Sequence, residues 1–224
     1  MQKMGLQAIY PKPRTSKPDK ENRVYPYLLR GVEISRPNHV WCSDITYVPM
    51  RQGFMYLVAI MDWFSRYVVA WEISNSLDGH FCLRCLRQAL GAAKPEILNT
   101  DQGVQFTAHA FTSAVEQAGV RVSMDGRGRV LDNIFIERLW RSVKYEDIYL
   151  KDYSTGHELK KGLHGYFGFY NHERVHQNLD YLTPAEVYYG NQRIAPTPHL
   201  RSGLGLSQAQ WDGIEPPYFC STVV

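Results

Sequence analysis

The chain has 224 residues, 44% hydrophobic and 21% charged, with a formal charge of +3, values that suit one substantial soluble globular core. No run of about 18 apolar residues occurs, which excludes a membrane-spanning helix, and the N-terminus reads without a signal-peptide apolar segment. Four cysteines make no dense disulfide framework, which fits a reducing cytosol.

The charge is uneven. Residues 1–38 hold eight basic side chains against three acidic ones, a net +5 out of the chain's +3. A basic arm on a near-neutral body suits a phosphate backbone, and it equally suits a solvated terminus. With Pro11, Pro13 and Pro18, residues 1–37 read as a linker or strap.

From Asn38 the pattern changes. Val40–Val48 is β-branched and aromatic, hence a strand; Arg51-Gln52-Gly53 turns the chain, and the apolar run Phe54–Met61 predicts a strand buried on both faces. Tyr67–Ile73 is a third strand, and the short links favour an antiparallel meander. Asp78 caps a helix that Gly91 ends, with Cys82, Cys85, Leu86 and Ala89 on its inner face. Residues 95–100 form a short strand leading to Asp101, Thr107 caps a second helix closed by Gly119, and Val120–Met124 is the fifth strand. Gly126-Arg127-Gly128-Arg129 is a loop before a helix over 132–144. Beyond residue 150 the reading is helical, with capping boxes at Thr155–Glu158 and Thr183–Glu186. Residues 38–150 thus read as a core, 151–190 as its helical extension and 191–224 as a loosely structured tail. The order β-β-β-α-β-α-β-α describes an α/β fold: a ribonuclease-H-like mixed five-stranded sheet flanked by helices.

The 132–144 helix has two faces. Ile136, Leu139, Trp140 and Val143 form a core stripe, while Asn133, Glu137, Arg141 and Lys144 stack on another flank. That flank alone fits a solvated, ion-paired surface. Two aspartates alter the reading. Asp44 lies within the first strand, where a charge needs a ligand or partner. Asp101 lies at the carboxyl end of the fourth strand, where open α/β sheets bind ligands. The first strand is central in this topology, so the two become neighbours, with Glu137 projecting from the later helix. Three converging carboxylates repel one another, and magnesium or manganese relieves the repulsion. Two such ions about 4 Å apart can activate an attacking oxygen and stabilise the leaving oxygen of a phosphodiester. Lys144, and Arg141 on the same stripe, would meet phosphate or base edges.

Other candidates carry bland readings beside sharp ones. Asp62, four residues before Arg66, reads as a structural ion pair rather than a metal ligand. Cys82 and Cys85 lie on an apolar helix face, so buried thiols are favoured over a zinc site with His172 and His176. His176 and Asn171 suit DNA contact or helix packing equally. Arg127 and Arg129 lean toward DNA contact, and Asn133 would orient a metal-bound water or cap its helix.

The segments Trp41–Tyr47, Asp62–Arg66, Asn99–Phe106, Asp132–Lys144 and Tyr166–Pro184 together resemble the integrase catalytic core of bacterial insertion-sequence transposases, within them the second-frame product of the IS-three type. Asp101 and Glu137 are separated by 35 residues, 102–136, the Asp-Asp-35-Glu spacing of that family, and Lys144 stands where the family keeps a basic residue. The resemblance implies a DNA strand-transferase that nicks transposon ends with water and joins the freed 3′-hydroxyl to target DNA. It implies two magnesium or manganese ions, Asp44 on both and Asp101 and Glu137 on one each. It further implies a homo-oligomer of at least two chains, a possible first-frame helix-turn-helix partner, and action in the bacterial cytoplasm at the nucleoid. No helix-turn-helix pattern is read ahead of the linker, which keeps a truncated, non-catalytic DNA-binding remnant or inhibitor as the competing expectation.

Overall fold

A computed structural model describes residues 23–126 and 134–190. Strands β1 (Val40–Pro49), β2 (Phe54–Asp62) and β3 (Val68–Ser74) form the antiparallel meander; β4 (Ile97–Thr100) and β5 (Arg121–Met124) add in parallel on the other side of β1. The sheet order is β3-β2-β1-β4-β5, so β1 is central and has a partner on each edge. The short links after β1 and β2 permit only antiparallel neighbours, whereas β4 and β5 are reached through helical crossovers.

Both faces of the sheet are covered, which is why β2 reads as a continuous apolar run. Trp41, Val58, Ile60, Leu98 and Val122 pack with Phe81, Cys85 and Leu86 of α1 (Gly79–Ala92) and Phe111 and Val115 of α3 (His109–Gln117). On the opposite face Cys42, Val48, Leu57 and Ala59 pack with Ile136, Leu139 and Val143 of α4 (Ile134–Val143) and Leu159, Leu163 and Tyr170 of α6 (Gly156–His172). The helical residues after 150 therefore complete the second core layer. Asn171 fastens α6 to β3, accepting from the Val68 N–H at 2.9 Å and donating to its carbonyl at 3.0 Å. Ahead of β1, the strap from residue 23 crosses the β5 edge, where the Leu28 N–H donates to Ser123 Oγ at 3.0 Å.

Several local expectations shift. Asp78 caps α1, accepting from the His80 N–H, but Gly91 lies inside that helix, which runs on to Ala92. Thr107 caps nothing: it ends a four-residue turn, α2 (Val104–Thr107), its hydroxyl donating back to the Gly103 carbonyl, and Ala108 precedes α3. Gly119 does follow α3, at φ +69°. Thr155 accepts from the Glu158 N–H, yet Glu158 reaches the Ser154 N–H, so the first box is half made; the second, at Thr183 and Glu186, is complete. Past Val143 the helix widens into a π-helical turn (Lys144–Ile148) and ends as α5 (Tyr149–Lys151), before α6 and α7 (Pro184–Tyr188).

Candidate active site

Register brings the two aspartates together. In the parallel β1–β4 pair Ser43 stands opposite Thr100, so Asp44 and Asp101 follow at the same level on adjacent strands, at the carboxyl end of β4. Along β1, Cys42 faces the α4–α6 layer and Trp41 the α1–α3 layer; alternation then turns Asp44 toward α4. There the indole N–H of Trp140 donates to Asp44 Oδ2 at 2.8 Å.

Glu137 lies one turn N-terminal of Trp140 and is exposed, as is Asp101. Asp44 senses the other two carboxylates. Burial pushes the Asp44 carboxyl above its usual range, the Trp140 indole and the Ile45 N–H oppose this, and the charges of Asp101 and Glu137 raise it further. Lys144 belongs to the same group: burial lowers its ammonium pKa, and the negative charge of Asp44 raises it.

Asp101 is positioned by its own loop. Its Oδ1 accepts from the Gly103 N–H at 2.9 Å. A Cβ on Gly103 would lie 2.9 Å from that same oxygen, closer than real contacts allow. Trp140 and Gly103 were both absent from the sequence-level site: the first read as core, the second as part of a motif. Their signals were a buried indole that must place its N–H and a glycine two residues after the acid.

Among the described residues, no three His, Cys, Asp or Glu side chains stand close enough to enclose an ion. The three carboxylates come from separate elements, β1, the residue after β4 and α4, and do not by themselves enclose an ion. The donor set nevertheless fits a hard divalent cation. All three are carboxylates, two are open to solvent, and the third bears a charge disfavoured by burial and two like neighbours.

Two models of the integrase core domain match residues 34–129 and 118–184. A transposase-like protein of Haemophilus influenzae is 33% identical over 75% of this chain and 77% of its own length. The chain belongs to the insertion-sequence transposases with an integrase core. The transposase of IS904 from Lactococcus lactis is 32% identical over 76% of this chain and 66% of its own length. A transposase of the IS3fB element of Escherichia coli is 28% identical over 72% and 57%. The chain thus spans between about half and two thirds of these two relatives. The catalytic core domain of human T-cell lymphotropic virus 2 integrase, solved with magnesium, superposes with a TM-score of 0.56 over 68% of this chain and 97% of that one, at 20% identity. That likeness establishes the fold as ribonuclease-H-like.

Elsewhere in this transposase core, the structure sorts the remaining candidates. Asp62 is fully buried, but not through an ion pair with Arg66. Its oxygens accept from the Ser65 N–H at 2.8 Å, the Ser65 hydroxyl at 2.6 Å and the Asn38 N–H at 2.7 Å, and Arg66 assists only through its charge. Cys82 and Cys85 are buried free thiols. Asn171 is spent on β3, whereas His176 faces a groove with Arg174. Arg141, placed on the Glu137 stripe from the sequence, lines that same groove with Arg138. Arg127, Arg129 and Asn133 lie outside the described residues.

Proposed function

We propose that this chain is the catalytic core of a transposase that cuts DNA at the ends of an insertion sequence and joins the freed 3′-hydroxyls to target DNA. The observation that supports the reading is that Asp44 on β1 feels the charges of both Asp101, just past β4, and Glu137 on α4. In the first step a water oxygen bonds to phosphorus and the bond to the 3′-oxygen breaks. In the second that 3′-hydroxyl attacks a target phosphodiester, and its proton passes to the departing oxygen, which leaves as a target 3′-hydroxyl. Magnesium or manganese, as two ions held by Asp44 on both and by Asp101 and Glu137 on one each, would activate the attacking oxygen and stabilise the leaving one. The magnesium in the viral integrase core supports that choice.

The chain's own residues set up the site. Trp140 holds the Asp44 carboxylate toward α4, Gly103 holds Asp101, and Lys144 places a cation beside Asp44 to receive a phosphate. In this reading residues 38–150 are the core, 151–190 extend it, and the basic 1–37 arm follows the phosphate backbone. Joining two element ends at one target calls for at least two chains, and a first-frame helix-turn-helix protein would supply recognition of the terminal repeats. Among the described residues no helix is long and apolar enough to cross a membrane, and a DNA substrate puts the work at the nucleoid in the cytoplasm.

The test uses labelled element ends and magnesium. The full chain should yield nicked and then joined product, and Glu137→Gln should fold and bind DNA while losing both. Joined product from Glu137→Gln would remove the triad. Nicking without joining by the unaltered chain would make it a plain nuclease instead.

A further inference from the structure

Beside α4, on the flank next to Glu137, two cavities of about 390 and 500 Å³ share Arg66, Phe135, Asn178 and Leu179 and so form one groove. Its two halves differ in chemistry. One is cationic, lined by Arg138, Arg141 and Arg174. Arg174 is occupied by Glu146, with Nη2 to Oε1 at 2.7 Å and Nε to Oε2 at 2.9 Å. Arg138 and Arg141 are exposed, and among the described residues neither has an ion pair. The other half is richer in apolar side chains, Trp63, Phe64, Ile34 and Leu182, with Asp180 also on its wall. Trp63 meets Phe135 edge to face, with ring centroids 5.4 Å apart.

Arg66 sits where the halves meet. Its guanidinium lies 3.3 Å from the centroid of the Phe135 ring, and its Nη1 is buried without a hydrogen-bond partner. Its backbone adopts φ +67°, a conformation a non-glycine residue rarely takes. His176 reports the local potential: burial and then the charges of Arg174 and Arg66 push its pKa down to about 4. Unpaired cations next to half-exposed aromatic rings suit a ligand that carries both anions and flat apolar groups.

We propose that this groove binds single-stranded DNA leaving the cleavage centre, with phosphates on Arg138 and Arg141 and an unstacked base against Trp63 and Phe135. Base–aromatic stacking beside a basic track is how single strands are held without regard to sequence. A duplex keeps its bases stacked and presents only its backbone, so it would leave the apolar half unfilled. Successive helical residues stand about 100° apart, so Glu137 and Arg138 occupy neighbouring flanks of α4, and a strand frayed at the scissile phosphate needs no detour to enter. The proposal rests on the strand-transfer reading for the identity of the DNA, not for the binding itself.

The experiment measures fluorescence anisotropy of a labelled blunt duplex, and of the same duplex with a single-stranded tail, across a salt series, in the Glu137→Gln background so that no chemistry intervenes. Arg138→Ala with Arg141→Ala should weaken the tailed DNA about tenfold and shrink its salt slope by about 1.4, two single-strand phosphates' worth, while the blunt duplex shifts less than about twofold. Trp63→Leu should weaken the tailed DNA by a similar factor with the slope unchanged. Equal losses on both DNAs, or none on either, would overturn the groove. If Trp63→Leu fails to fold, the exposed arginine pair still decides the matter. A chain that holds tailed DNA through the arginines yet joins nothing would sink the transferase reading alone; one that joins ends, with tailed binding indifferent to the arginines, would sink the groove alone.

Discussion

Asp44 and Asp62 show how two acids on paired strands can serve opposite ends. Asp62 on β2 is fully buried and Asp44 on β1 half-buried, and burial raises both carboxyls. Asp62 is surrounded by three donors and the Arg66 charge, so its ionised form is satisfied and it holds the turn before β3. Asp44 has only the Trp140 indole and the Ile45 N–H, and faces two like charges instead. Its charge is an unmet demand, which is what a cation site requires. The neighbouring Gly103 acts through its missing Cβ. In Gly103→Ala the new methyl would displace the Asp101 carboxylate from the Gly103 N–H. We expect strand cleavage to fall by tenfold or more, on the scale of losses from a misplacement of about 1 Å. Thermal stability should change by less than about 1 kcal/mol, because the loop is at the surface. Full cleavage activity in that variant would show that Asp101 need not be held.

Helix α4 has a structural and a chemical face, and the two are coupled. Ile136, Leu139, Trp140 and Val143 are buried against β1 and α6, so the angle at which Glu137 and Lys144 meet Asp44 is set by packing. Leu139→Ala should cost about 3 kcal/mol in chemical denaturation, the usual scale for a buried leucine. It should also reduce cleavage by the remaining folded protein, since the helix can then settle differently. A loss of stability with cleavage per folded molecule unchanged would separate the two faces. The π-helical turn that follows adds a second constraint. Asp147 is buried within it and accepts from the Tyr153 hydroxyl at 2.7 Å, with Lys151 paired to its other oxygen. This fastens the far end of the helix just beyond Lys144.

At the scale of the whole molecule, the C-terminal helices close one face of the sheet, and their junction contains a pH-sensitive group. His176 follows α6, with the Tyr170 ring 5.0 Å away and Arg174 Nη1 at 3.3 Å. Its folded pKa of about 4 lies below the 6.5 of a free imidazole. As pH falls through 6.5 the unfolded chain takes up a proton that the folded chain refuses until about 4, so stability declines across that window and levels off below it. The group is only half buried, so the loss is no more than about 2 kcal/mol after solvent screening. His176→Gln should flatten the fall in melting temperature between pH 6.5 and 4; an unchanged slope would assign the acid sensitivity elsewhere.

Much of this protein was legible before any coordinates. Alternation and continuous apolar runs mark the five strands because a sheet covered on both faces demands them. The link lengths dictate the antiparallel meander and the crossovers, and the three carboxylates are carried within β1, just past β4 and within α4. Cap details were less secure: Thr107 turns back on its own loop and Gly91 continues its helix, since a local cap signal competes with packing that sequence spacing does not express. Only the tertiary structure decided which partner each polar group takes. It turned Trp140 from a core residue into the donor to Asp44, and replaced the expected Asp62–Arg66 pair with serine and backbone donors. It also placed Arg141, one turn after Glu137 on α4, in a groove with Arg138 and the 174–179 segment. The Trp140–Asp44 bond joins residues 96 positions apart, a distance no local pattern carries, and the Asp62 donors, 3 and 24 positions away, were chosen by how the chain turns in space rather than by spacing.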